Sequence, residues 1–566
     1  MPDGVGRSFP PYFLEHREEV CRSAVVKIPD RPIWCLQSPG GWSVNSIVIE
    51  GDDGIIVCDT GVCHEQGLAI KAEIDKLTSK PIRAIVYSHH HVDHCHGTDA
   101  LATPEQVASG EVEILASETF SKEYADENHV VGPIMGLRAS YMYGALLPPE
   151  EQSYTGLGAR FVGGRLGRFL DPTRLVSGDT DVEIAGVRLH LFLTGGEASS
   201  EMGIHLPDHR TAIVADEVYA ALPNLYTLRG SKFRDAGRWA AASDRILGLD
   251  VDALLGCHMA PILGADRIRR VLTTYRDALQ YNHDQAVRHI LAGATAEELR
   301  SKVKALPDYL DLEPYTREMY GKVAGNAAQQ FTGYLGWFDG DATNLAPTPR
   351  GKRARRLVKM MGGRRRVLDL AEESLSRRDP QWTAELATLI LSINPADARA
   401  RALKAAALRA LGYREQNATW RNWYLTGALE LEGSADPGML AAFSRAAFLS
   451  PAIGAGALLE ALRFTVDPPR VGDRHLRIGV VLSDTEDVWT LEMRNSVLIL
   501  HEGRHENATG EVLLSLDVLS EFISGGASFA SLVDSGEVQV LGVRDDVTTL
   551  FGAFETAPPI RGFHAR

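Results

Sequence analysis

The densest chemistry in this chain lies in ten residues, Ser88–Gly97, which read SHHHVDHCHG. Their core is His89-x-His91-x-Asp93-His94, directly after IRAIVYS (82–88), an apolar run that reads as a buried strand. A strand-to-loop turn projects such short-reach side chains into one cleft. Two imidazoles face one metal ion, and the Asp/His pair faces a second. Imidazole and carboxylate are the ligands of a zinc-like divalent ion in a catalytic site that keeps a position open. A histidine-rich surface loop needs no such order, and four ordered ligands behind a buried strand favour a metal site.

The surrounding elements must hold this loop rigidly. Residues 43–60, SVNSIVIEGDDGIIVCDT, read as two strands joined at Asp53-Gly54. A helical pattern over 64–78 precedes the strand at 82–88, and strand, helix, strand opens an α/β arrangement. Further apolar runs, VRLHLFLT (187–194) and TAIVAD (211–216), each end in a polar cluster, where a rigid sheet aims the residues that follow. Past about residue 270 the segments 270–330, 352–376 and 380–431 take helical periodicity, with a Gly/Pro-punctuated loop at 333–351. Two helical hairpins are expected in 380–431. From about 466 alternation returns in LRIGVVLS, WTLEMRNSVLIL and GEVQVLG, a small α+β domain without a metal-type cluster.

Composition narrows the class. A chain of 566 residues suggests three or so domains, here α/β, all-α and α+β. Lys+Arg total 59 against Asp+Glu 74, a net charge of −15, which argues against a nucleic-acid partner. No apolar run reaches the ~18 residues of a membrane span. The opening MPDGVGRSFPPYFLEHREEV carries no secretory pattern. Six cysteines without a CxxC pair read as reduced thiols, so a cytoplasmic location is expected. The basic run Arg350–Arg366 reads as a solvated helical face or subunit contact, and Trp420, Trp423 and Tyr424 as packing residues.

The HxHxDH pattern resembles the metallo-β-lactamase superfamily, an αβ/βα sandwich with a two-metal site at one edge. That superfamily usually adds a His, a bridging Asp and a final His in chain order. Here the corresponding candidates are Glu197 in LTGGEASSEM, Asp216 in IVADE and His258 in LLGCHMAP. Taken singly they read as a loop carboxylate, a helix cap and a core histidine. Glu in the first place, followed by PNLYTLRGSKFRDAGRW (223–239), resembles the alkylsulfatase branch, as do YMYGALLPPEE (141–151), YLGWFDGDATNL (334–345) and ALGYREQNATWRNWYLTGALEL (410–431). The chain departs from that branch in Cys95-His96-Gly97 where HFGG is common, in His258-Met259-Ala260-Pro261 where HHWP is common, and in Asp216 where Glu is frequent.

The resemblance implies a catalytic domain at 1–268, a helical dimerisation domain at 269–432 and a C-terminal domain like sterol carrier protein 2 at 433–566. It implies two zinc ions, with iron or manganese as alternatives. His89, His91 and Glu197 would hold one and Asp93, His94 and His258 the other, with Asp216 bridging. Asp93 and Asp216 would also orient the attacking water. A sulfate ester needs further donors, for which Arg229, Asn224, Tyr226 and Arg234 are the candidates, Arg229 supplying a planar fork suited to oxyanions. The expected reaction is hydrolysis of an alkyl sulfate to inorganic sulfate and an alcohol by a homodimer. Hydrolysis of a phosphodiester, lactone or β-lactam on the same fold is one alternative. A lipid carrier with a vestigial hydrolase domain is another.

Overall fold

Residues 46–58 show why the first sheet forms. Ser46–Glu50 (β3) and Ile55–Cys58 (β4) pair antiparallel, Ile47 opposite Cys58 and Ile49 opposite Ile56, across a turn closed by Gly51 N–H donating to Gly54 O at 2.9 Å. Both strands are apolar on both faces, as strands covered on both sides must be. The computed structural model describes residues 23–152, 154–158, 162–167, 169–435, 454–554 and 562–564. They group into two compact units, the described residues of 23–123, 138–435 and 562–564 in one and those of 124–137 and 454–554 in the other.

In the first unit the hairpin extends to seven strands in sequence order: Ala24–Lys27 (β1), Ile33–Gln37 (β2), β3, β4, Ile82–Val86 (β5), Glu113–Ser117 (β6) and Arg174–Val176 (β7). The pairs from β4 to β7 are parallel. The expected helix spans His64–Leu77 and buries Ile70 and Ile74. A second sheet runs in the order Ile262–Leu263 (β13), Ala253–Leu255 (β12), Thr211–Ile213 (β11), Met202–Leu206 (β10), Val187–Leu193 (β9) and Thr180–Ile184 (β8). Between the sheets Ile47, Ile49, Val86 and Leu115 meet Leu189, Leu191, Ile204 and Leu255 in one core. Trp239 and Ile246 of the Ala236–Leu247 helix and Leu272 and Tyr275 of the Ala265–Leu291 helix share a further core with Phe192, Ala212 and Leu254 of the second sheet. The result is the αβ/βα sandwich. Each fully buried Ile, Leu or Phe contributes about 1.5–3 kcal/mol, a surplus that lets one end of the sandwich hold costly charges.

The helical region differs in detail from expectation. Residues 380–431 form three successive helices, Pro380–Leu391, Ala398–Arg414 and Ala418–Glu432, rather than two hairpins. Asp379, Asp397 and Asn417 cap their N-termini by accepting from Trp382, Ala400 and Trp420 N–H. Arg364–Ser376 packs on the first of them, making the antiparallel stack four deep.

The second unit contains the sheet β16-β15-β14-β17-β18, formed by Leu476–Leu482 (β14), Val488–Arg494 (β15), Val497–Glu502 (β16), Gly510–Leu514 (β17) and Gln539–Gly542 (β18). Ile478, Leu491 and Met493 pack with Leu458, Leu519 and Phe551 from helices on one face. Glu492 points the other way, where His475 Nε2 lies at 2.8 Å, His501 Nε2 at 2.9 Å and Arg477 Nη2 at 3.1 Å. Burial opposes its charge, but Arg477, His501 and His475 hold its carboxyl down to about 2, below the ordinary 4.5. A depressed carboxylate stabilises above its unfolded-state value, and that stability is lost as pH falls through the folded-state value. Between about pH 4.5 and 2 the wild-type unit should therefore lose stability progressively. Glu492→Gln should start lower at neutral pH and show a flatter profile across this window. Melting temperature against pH checks it, and superimposed profiles would exclude the network as a stabilising element.

Candidate metal centre

The candidate ligands sit where strands of both sheets end. β5 delivers Ser88–His91, and a single helical turn, Val92–Cys95, then turns Asp93 and His94 inward. From the second sheet, Glu197 follows β9, Asp216 follows β11 and His258 follows β12. His89 Nε2 lies 2.8 Å from His91 Nδ1, and Glu197 Oε2 lies 3.3 Å from His91 Nδ1 and 4.0 Å from His89 Nε2. Asp93 Oδ1 is 3.6 Å from His94 Nε2, and Asp93 Oδ2 is 3.4 Å from His258 Nε2. Asp216 Oδ2 lies between them, 3.7 Å from His94 Nε2 and 3.3 Å from His258 Nε2. All seven expected ligands converge.

Their chemistry fits divalent cations. Asp216 Oδ1 and His94 Nε2 are buried and make no hydrogen bond among the described residues. Ligation would satisfy both. Burial, followed by His94, His91 and His90, depresses His89 well below the usual imidazole range. Burial, followed by Arg229, does the same to His91. Both rings are therefore neutral and carry the lone pair that a metal requires. Burial also acts against His94, but Asp93, Asp59 and Asp216 outweigh it and lift the ring to about 9. Asp216 and Asp93 likewise raise His258 well above its ordinary value against its burial. The field that favours a proton on these rings favours a metal cation equally.

A second layer of residues fixes ring orientation, and sequence reasoning missed most of it. Asp59, at the end of β4, accepts from His94 Nδ1 at 2.8 Å, from Ser88 N–H at 2.8 Å and from Ser88 Oγ at 2.7 Å. His258 Nδ1 donates to Ser43 O at 2.8 Å. Each bond places the proton on Nδ1 and leaves Nε2 free to coordinate. The carboxylate Glu201 Oε2 accepts from Glu197 N–H at 3.1 Å and Ala198 N–H at 3.2 Å, while its Oε1 accepts from Asp216 N–H at 2.8 Å. One buried side chain thus sets the spacing of two ligand loops. Burial raises its pKa well above the usual range, and Glu217, Glu197 and Asp216 add repulsion. Glu217 Oε1 accepts from Gly196 N–H at 2.8 Å, and a Cβ on Gly196 would lie 2.1 Å from Glu217 Oε2, so a side chain there would displace the Glu217 carboxyl. The traces in sequence were small: an Asp closing the apolar IIVC run, and a second Glu in EASSEM.

The segment 223–234 borders the centre. Asn326 anchors it, Nδ2 donating to Pro223 O at 2.8 Å and Oδ1 accepting from Tyr226 N–H at 3.3 Å. Asn224 is buried, and its Nδ2 finds no hydrogen-bond partner among the described residues. Arg229 is half-buried, Nη1 donating to Gly230 O at 3.1 Å, and its charge reaches His91. Arg234 is placed differently. Its Nη1 pairs with Glu197 Oε1 and donates to Asn224 O at 2.9 Å, so it braces a ligand and the loop together. Asp235 caps the Ala236–Leu247 helix through Gly237 N–H at 2.8 Å. His90, outside the expected ligand set, shares a 2.7 Å hydrogen bond with Ser200 Oγ. The five described cysteines are buried free thiols, and Cys21 lies outside the described residues.

Three family models match the chain: the metallo-beta-lactamase superfamily over residues 39–258, alkyl sulfatase dimerisation over 295–434 and alkyl sulfatase C-terminal over 451–560. A linear primary-alkylsulfatase of Pseudomonas sp. (strain ATCC 19151) is 38% identical over 90% of this chain and 98% of its own length. An (R)-specific secondary-alkylsulfatase of Pseudomonas sp. is 30% identical over 91% of this chain and 79% of its own length. Among solved structures, the stereoselective inverting sec-alkylsulfatase Pisa1 from Pseudomonas sp. superposes with a TM-score of 0.83 at 28% identity, covering 95% of this chain and 85% of that one. With its metal-type centre, second sheet and helical region accounted for by one lineage, this chain belongs to the alkylsulfatase family of metallo-β-lactamase-fold hydrolases.

Proposed function

We propose that the chain hydrolyses linear alkyl sulfates to inorganic sulfate and the alcohol at a centre of two zinc ions. The carrying observation is that both triads, His89/His91/Glu197 and Asp93/His94/His258, converge on Asp216 beside a loop bearing Arg229. The primary alkylsulfatase aligned over nearly its full length supports a primary ester as substrate. Ions held there would lower the pKa of a bound water and offset the charge of the ester.

The chain's own residues do the rest. Asp59 and the Ser43 carbonyl hold His94 and His258 with Nε2 inward. Arg234 keeps Glu197 turned toward the centre while compensating its buried charge. Asp216 and Asp93 orient the attacking water. Arg229 presents two parallel N–H donors to the sulfate oxygens, Asn224 Nδ2 a third donor, and Tyr226 its hydroxyl. Arg234, already bonded to Glu197 and Asn224 O, acts on the substrate through them.

We further infer the domains 1–268, 269–432 and 433–566, the last of the sterol-carrier-protein-2 type, a reading compatible with its five-stranded sheet and one-sided helices. Among the described residues no helix is long and apolar enough to cross a membrane. Buried free thiols suit a reducing compartment, and we place the enzyme in the cytoplasm. The alkyl sulfatase dimerisation match supports a homodimer, so light scattering at micromolar concentration should give twice the chain mass of 61.7 kDa. A monomer would refute this.

Sulfate release from dodecyl sulfate, with metal analysis on the same preparation, tests the central proposal. His94→Ala should cost one of two bound metals and nearly all turnover, leaving the sandwich folded. Full turnover with unchanged metal content would overturn the assignment.

Arg229→Lys should keep both metals and the melting temperature yet lower kcat/KM. Lys retains the charge but not the fork. Losing a charged hydrogen bond to a buried anion costs about 2–5 kcal/mol, or roughly 30-fold to several thousand-fold. Unchanged kcat/KM toward an alkyl sulfate would remove Arg229 from the site.

A further inference from the structure

Residues 562–564 group with the first unit rather than with residues 454–554, and they occupy a fitted cradle. Glu430, on the Ala418–Glu432 helix, accepts from Phe563 N–H through Oε2 and from His564 N–H through Oε1, each at 2.8 Å. Lys404 Nζ donates to His564 O at 2.8 Å, and Tyr141 Oη donates to Glu430 Oε2 at 2.8 Å. The imidazole of His564 rests on Gly427, where a Cβ would come within 2.6 Å of Nε2. Phe563 packs edge-on to Tyr141, with centroids 5.1 Å apart, and lies 5.9 Å from Trp423. Every backbone polar group named here is met by a side chain of the cradle, so this is a built peptide-binding site.

The cradle also touches the anion loop. Arg138 lies over Trp423 at 5.2 Å and over Phe563 at 6.0 Å. Its Nε donates to Arg229 O at 2.9 Å and its Nη2 to Leu228 O at 2.6 Å. The guanidinium grips the backbone of the residue assigned to sulfate, and its own position is set by the two aromatic rings.

We propose that the segment Gly562–His564 is an intramolecular ligand that positions the active site: docked on Glu430, Lys404 and Gly427, it braces Arg138, and Arg138 holds the Leu228–Arg229 backbone where the Arg229 fork meets the substrate. Arg138 and Phe563 are positioning residues. The inference rests on the proposed role of Arg229. It deepens that reading by making the substrate loop depend on a distant part of the chain.

The test is a chain ending at Arg561, compared with the full chain for metal content, melting temperature and kcat/KM toward dodecyl sulfate. Both metals should be retained, and kcat/KM should fall about tenfold, the scale of a modest misplacement of a binding group. The peptide GFHAR at about 1 mM, near the effective concentration of a tethered segment, should restore most of it, and GAHAR should not. Phe563→Ala in the full chain, a small change at a part-exposed position, should reproduce the loss. Adding Arg138→Met to the shortened chain should cost no further activity, because both changes act on one contact. A shortened chain and a Phe563→Ala variant that each keep kcat/KM within twofold of the full chain would overturn the proposal. So would a loss confined to melting temperature, or a fully additive double variant. If Arg229→Lys is itself harmless, the sulfate-site reading fails. If it is harmful while the shortened chain is normal, only the present inference fails.

Discussion

Everything in the first unit is arranged around buried carboxyl groups that must be answered. Asp59, Glu197, Glu201, Asp216 and Glu217 are each no more than 4% exposed, and they crowd one end of a dry sandwich. A carboxyl group taken out of water costs free energy unless its oxygens find hydrogen bonds or counter-charges. The chain answers each differently: Asp59 with His94 and Ser88, Glu197 with Arg234, and Glu201 with three backbone N–H groups. Among the described residues Asp216 Oδ1 and Glu217 Oε2 stay without a hydrogen bond, and of these Asp216 is the one that lies between His94 and His258. The apolar core between the sheets carries the cost of this concentration, so the site depends on packing far from it.

The same constraint separates two arginines that look alike in the sequence. Arg229 and Arg234 lie in one loop, but Arg234 is buried against Glu197 whereas Arg229 is half-buried beside His91. One offsets the charge of Glu197, and the other is the residue proposed to meet the sulfate group. No spacing rule distinguishes them, because burial is decided by the helices on which the loop rests.

Legibility followed contiguity. His89, His91, Asp93 and His94 lie within six residues on one turn, and a metal-type cluster could be expected from the residues alone. Glu197, Asp216 and His258 are scattered across the second sheet, and only family resemblance joined them to the first four. Asp59 and Glu201 were missed because they act on rings and backbone amides, and such bonds leave no residue pattern. The hairpin at Asp53-Gly54 and the strand at 82–86 were readable from turn chemistry and apolar runs. The count of helices in 380–431 was not, although the caps Asp397 and Asn417 marked where two of them start.

The candidate ligands are divided between the two sheets: His89, His91, Asp93 and His94 hang from the first, and Glu197, Asp216 and His258 from the second. Neither layer owns a complete coordination set. A cation bound there would act as a rivet through the edge of the sandwich, reinforcing layers that also meet through an aliphatic core and through polar contacts such as Arg31 with Asp252 and Met202 N–H with Ser88 O. Its loss would therefore be felt in the register of the two layers as well as in the chemistry.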